Sequence, residues 1–117
     1  MHDNPILAVP DDKHARVAAD SFRMLADPTR VKILWALLQG ETSVSSLAEL
    51  VDSSPTAVSQ HLSKLRLAGL VDSRREGTFV YYSATDRHVH RLLAEALSHA
   101  EHKTGVATGD DRHTYRA

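Results

Sequence analysis

Residues 42–69 read TSVSSLAELVDSSPTAVSQHLSKLRLAG, and this stretch decides the fold. Thr42 or Ser43 caps a short helix whose apolar positions are Val44, Leu47, Leu50 and Val51. Asp52-Ser53-Ser54-Pro55 then makes a tight polar turn. Ser54 is a good N-cap, and Pro55 has the fixed φ and missing N–H that suit a first helical residue. The next helix runs to about Ala68, with Gly69 as its stop. A short helix, a turn and a second helix make the motif that reads DNA.

Outward from that motif the chain keeps the same logic. Upstream, Asp27-Pro28 opens a helix with the stripe Val31, Ile33, Leu34, Leu37 and Leu38, ended by Gly40. Before it, residues 12–26 carry Ala15, Ala18, Ala19, Phe22 and Leu25 at helical spacing. Downstream, Leu70–Arg75 and Thr78–Ser83 are β-rich runs joined by Glu76-Gly77, a hairpin placed where a wing belongs. From Asp86 to about Lys103 runs a long amphipathic helix. The expected fold is mainly α with a small β-hairpin, a winged helix-turn-helix spanning residues 12–103. Residues 1–11 read as a flexible arm and 104–117 as a flexible tail.

Composition narrows the function classes. The 117 residues include 42% apolar and 25% charged side chains, ordinary for one soluble domain. The net charge is −1, so a nucleic-acid role must rest on local charge. Cysteine is absent, which removes disulfides, thiolate metal sites and cysteine nucleophiles. No apolar run reaches a membrane span, and Met1-His2-Asp3-Asn4-Pro5 has no signal-peptide character. A cytoplasmic protein is the expectation.

In the helix from Pro55, the residues Val58, Leu62 and Leu65 should face inward. Thr56, Ser59, Gln60 and Ser63 follow i, i+3, i+4, i+7 and share an outward face that can hydrogen-bond base edges. Ser54 stands at its start, and Lys64 lies further along, where it can neutralise a phosphate. On the wing, Arg74 and Arg75 precede the tip and Thr78 follows it, so these residues are expected against the DNA backbone.

Eight histidines are unusual, and the last helix holds four of them: His88, His90, His99 and His102. His99 and His102 are one turn apart and can chelate one ion. His88 shares their face but stands ~16 Å away along the axis, at 1.5 Å per residue. Metal–nitrogen bonds of ~2.0–2.1 Å forbid one ion from spanning both ends. Two antiparallel copies of the helix resolve this. Asp86 and His88 of one chain then meet His99 and His102 of the other, twice by symmetry. The stripe Val89, Leu92, Leu93, Ala96, Leu97 and Ala100 would supply the packing. His90 points elsewhere. A homodimer through the N- and C-terminal helices is the expected assembly. Four protein ligands on packed helices leave little room for a substrate, so the cluster does not read as a hydrolase.

The chain resembles the ArsR/SmtB family of metal-responsive repressors. The resemblance lies in ADPTRVKILWALL (26–38), SLAEL (46–50), SSPTAVSQHLSKLRLAGLV (53–71) and the wing SRREGTFVYYSA (73–84). Asp86-Arg87-His88, ten residues, then His99-Ala100-Glu101-His102 matches the subgroup with ligands on the C-terminal helix. The resemblance implies a repressor whose metal-free dimer sits on an inverted-repeat operator of a metal efflux or sequestration gene and is released by the ion. It also implies a hydrogen bond from His99 to a backbone carbonyl near Gly69. Three imidazoles and a carboxylate suit Zn(II). Ni(II) or Co(II) is the alternative, with His2 and His113 as further ligands. A regulator of the same fold with no metal response is the remaining reading.

Overall fold

The computed structural model describes residues 8–85 and 87–106. Among these residues, five helices and a small sheet follow in the order α1 (Asp12–Leu25), α2 (Pro28–Gln39), β1 (Thr42–Ser43), α3 (Val44–Val51), α4 (Pro55–Leu67), β2 (Val71–Glu76), β3 (Phe79–Ala84) and α5 (Arg87–Thr104). Side-chain caps set the helix starts. Asp27 Oδ1 accepts from the Arg30 N–H (3.0 Å), Ser43 Oγ from Ser46 (3.3 Å) and Ser54 Oγ from Ala57 (3.1 Å). Each satisfies an N–H that the first helical turn leaves without a partner.

Between α3 and α4 the chain turns through Asp52, whose φ of 55° is left-handed, while the Ser53 N–H closes on the Ala48 carbonyl at 3.0 Å. That closure holds the two helices at the angle of a helix-turn-helix. Behind them one core forms from Ile33, Leu34 and Leu37 of α2, Leu47, Ala48 and Val51 of α3, and Val58, Leu62 and Leu65 of α4. Leu70, Val71, Val89 and Leu93 complete it. Each fully buried aliphatic side chain contributes about 1.5–3 kcal/mol relative to exposure, so α4 is fixed chiefly by its three inward residues.

Three features differ from the sequence expectation. The wing is a three-stranded antiparallel sheet of order β1-β3-β2, not a lone hairpin, because Thr42 and Ser43 pair with Tyr82 and Tyr81. Two residues are too few for an alternating pattern to show, and Ser43 also caps α3. The hairpin loop is Gly77-Thr78, one residue later than expected, since Glu76 still pairs with Phe79. Gly77 takes the first loop position with φ +64°, where a side chain would be strained. The α5 stripe also divides: Val89 and Leu93 are buried in their own chain, whereas Leu92 and Ala96 are exposed. Helix α1 buries no residue, and Val17 and Phe22 stay about 60% exposed.

Candidate nucleic-acid interface and metal-ligand helix

Helix α4 presents the face its spacing required. Val58, Leu62 and Leu65 are fully buried, and Thr56, Ser59, Gln60, Ser63 and Lys64 are exposed. The face lies at the start and middle of the helix, where the N-terminal dipole is positive and favours approach to phosphate. Ser54 is exposed, but its hydroxyl oxygen already accepts the cap hydrogen bond, which leaves its O–H to donate. Lys64 and Arg66 complement the dipole in the last turn.

The two wing arginines are not equivalent. Arg74 Nε and Nη2 donate to Glu41 Oε2 and Oε1, both at 2.8 Å, in a bidentate fork. Its guanidinium lies 5.0 Å from the Tyr81 ring centroid, and Nη1 stands 3.7 Å from Glu76. The side-chain hydrogen bond from Arg74 holds the Glu41 carboxyl below the usual carboxylate range, and the same bond raises Arg74. Arg75 and Thr78 are exposed, and neither enters an ion pair or hydrogen bond among the described residues. The expectation that treated Arg74 and Arg75 alike missed a partner 33 residues away in sequence.

Along α5, His88, His99 and His102 are all exposed. The helix is unbroken from Arg87 to Thr104, so the eleven residues from His88 to His99 separate them by ~16 Å along the axis. Among the described residues of one chain, no three potential ligands gather around a point. Asp86, His2 and His113 lie outside the described residues. His90 packs its ring on Trp35 of α2, centroids 5.6 Å apart, and so serves the α2–α5 contact.

Sequence reasoning missed how α5 is fastened to α4. The Thr85 hydroxyl, just ahead of α5, donates to the Gly69 carbonyl at 2.9 Å, and the Thr85 N–H reaches the Leu70 carbonyl at 3.2 Å. Gly69 itself is the left-handed residue that ends α4, with φ +78°. Within the single chain, the side-chain donor to that carbonyl is Thr85, not His99. The residue ahead of α5 and the residues that follow α4 are therefore joined by two hydrogen bonds.

Residues 27–73 match the family described as bacterial regulatory protein, arsR family. The chain is 49% identical over 94 residues to the HTH-type transcriptional regulator KmtR of Mycobacterium tuberculosis, covering 80% of this chain and 72% of that protein. It is 43% identical over 82 residues to a cadmium resistance transcriptional regulatory protein, a CadC homolog of Staphylococcus aureus (69% and 68% covered). Among solved structures, a homodimeric winged helix-turn-helix DNA-binding domain from Mycobacterium bovis superposes with a TM-score of 0.69 at 34% identity. That match covers 88% of this chain and 99% of the other.

Proposed function

The chain belongs to the arsR family of bacterial regulatory proteins, transcriptional regulators of metal-sensor type and not enzymes, and we propose that it is a zinc-released repressor. Its dimer binds an inverted-repeat operator without metal. Asp86 and His88 of one protomer, with His99 and His102 of the partner subunit, would hold Zn(II) at each of two symmetric sites. The donor set fits that ion: three imidazoles and one carboxylate, with no cysteine anywhere in the chain. When bound, the ion supplies a fixed link between the two α5 helices.

The observation that carries this reading is the unbroken α5, which exposes His88 at one end and His99 and His102 at the other, too far apart for one ion. Leu92 and Ala96 lie exposed between the two ends, and α1 leaves Val17 and Phe22 unburied. Both surfaces suit a second copy of the chain, as in the homodimeric neighbour. On DNA, Thr56, Ser59, Gln60 and Ser63 face the major groove, with Ser54 and Lys64 beside the backbone.

The chain's own residues give the route from one surface to the other. Thr85 ties the start of α5 to the end of α4, so a change in how two α5 helices pair turns the recognition helices. The two must meet major grooves about 34 Å apart, and a small rotation spoils that spacing. A regulator on DNA works in the cytoplasm, and among the described residues no helix is long and apolar enough to cross a membrane.

Operator fragments selected from a random DNA pool, bound with and without zinc, nickel and cobalt, test the proposal. Release by zinc in a four-coordinate site is expected. Stronger release by nickel or cobalt in a six-coordinate site, lost on removing His2 or His113, would move the assignment to those ions. Binding indifferent to every metal would overturn the sensor reading and leave the DNA reading standing.

A further inference from the structure

The cross-strand register separates the two wing arginines. In an antiparallel pair, directly opposed residues point to the same side of the sheet. Asp72 opposes Ser83, Arg74 opposes Tyr81, and Glu76 opposes Phe79 on one side. Val71 opposes Ala84, Ser73 opposes Tyr82, and Arg75 opposes Val80 on the other. The second side is the core side, because Val71 is buried and Tyr82 and Ala84 pack on the core that also holds α4. Arg75 continues that side beyond the core, toward the wing tip. Arg74 stands on the opposite side with the carboxylates of Glu41 and Glu76, and the register puts Asp72 on that same side.

That opposite side is hostile to a polyanion. Two carboxylates stand against one guanidinium: Glu41 occupies its fork at 2.8 Å, and Glu76 lies 3.7 Å from Nη1. Glu41 sits in the connection between α2 and α3, next to β1, so the pair ties the far strand of the wing to the root of the helix-turn-helix. A planar fork holding both oxygens of a carboxylate fixes orientation as well as distance.

We propose that the two arginines have separate tasks. Arg75 meets the DNA phosphates, whereas Arg74 is a positioning residue that sets the wing against the helix-turn-helix through Glu41. The inference rests on the DNA-binding reading above and divides its expected wing contacts.

The test measures affinity for a random-sequence DNA duplex by fluorescence anisotropy, between about 50 and 200 mM salt. Arg75→Gln should flatten the log–log salt slope by about 0.9 for each phosphate that goes unneutralised, and Arg75→Lys should restore it. Arg74→Gln and Glu41→Gln should leave the slope unchanged and weaken binding about threefold, no further when combined, since they break one exposed pair. Arg74→Lys should not rescue, because a single ammonium cannot make both bonds. A slope lowered by Arg74→Gln as much as by Arg75→Gln would overturn the division of tasks. A slope untouched by Arg75→Gln would overturn it too. If the unaltered chain shows no salt-dependent binding, the DNA reading itself falls, an outcome distinct from either.

Discussion

Replacing Thr85 by Val tests whether α5, the proposed ligand helix, is coupled to α4, the proposed DNA-facing helix, through the Gly69 carbonyl. Valine keeps the branched shape and the backbone N–H that reaches Leu70, and deletes only the hydroxyl donor 2.9 Å from Gly69. A neutral intramolecular hydrogen bond contributes about 0.5–1.5 kcal/mol net. Thr85 is exposed and water can replace the missing donor, so the lower half of that range, ~0.5–1 kcal/mol, applies. Urea unfolding of the metal-free protein should show that loss. The coupling between metal and DNA, typically about 1–3 kcal/mol, should shrink by the same ~0.5–1 kcal/mol, a two- to fivefold smaller zinc effect on operator affinity. Zinc affinity in a chelator competition should hardly move. Thr85→Ser keeps the hydroxyl and should restore the coupling. If Thr85→Val loses stability yet keeps the whole zinc effect, this hydrogen bond carries no signal and the proposed route is wrong.

Three further outcomes follow from the same structure. Leu62→Ala empties a fully buried position of α4 and should cost about 2–5 kcal/mol in urea unfolding; a loss under about 1 kcal/mol would contradict the packing described. Gln60→Ala, on the exposed face, should leave stability within about 0.5 kcal/mol. It should nevertheless change base preference at one operator position by about 1–3 kcal/mol, and an unchanged preference would remove Gln60 from base contact. The third concerns acid. The Arg30 backbone N–H, foremost, holds the Asp27 carboxyl below its usual range. Its contribution is therefore fully present above the unfolded value of about 3.9 and is lost as pH falls through the lower folded value. Asp27→Asn keeps a competent cap, so stability at neutral pH should change little while the acid unfolding limb becomes shallower. An identical acid limb would refute that linkage; Asp11 and Glu41, lowered as well, keep part of it in any variant.

Most of the fold was legible because local signals agreed with one another. Asp27-Pro28 and Ser54-Pro55 each announced a helix start that the cap hydrogen bonds match, and Val58, Leu62 and Leu65 marked the inward side of α4. What escaped was non-local. β1 is two residues long and exists only because β3 lies beside it. The fork between Glu41 and Arg74 and the bond between Thr85 and Gly69 join positions far apart in the chain, and no periodicity encodes such pairs. The α5 stripe looked uniform, yet one part of it serves the chain's own core and another faces outward, a split that depends on where α2 lies. One missed signal was local after all: alternation along β2 already puts Arg74 and Arg75 on opposite faces.

The central claim is that each metal site needs both chains. One chain altered at Asp86 and His88 to Ala, and another altered at His99 and His102 to Ala, each lack half of every site as homodimers. Purified as a mixed dimer with two different affinity tags, they place one intact set of four ligands across the interface. Zinc titration of that mixed dimer should recover half the sites of the unaltered dimer, with unaltered affinity, while neither variant homodimer binds tightly. A mixed dimer that binds zinc no better than the two homodimers would contradict the shared site.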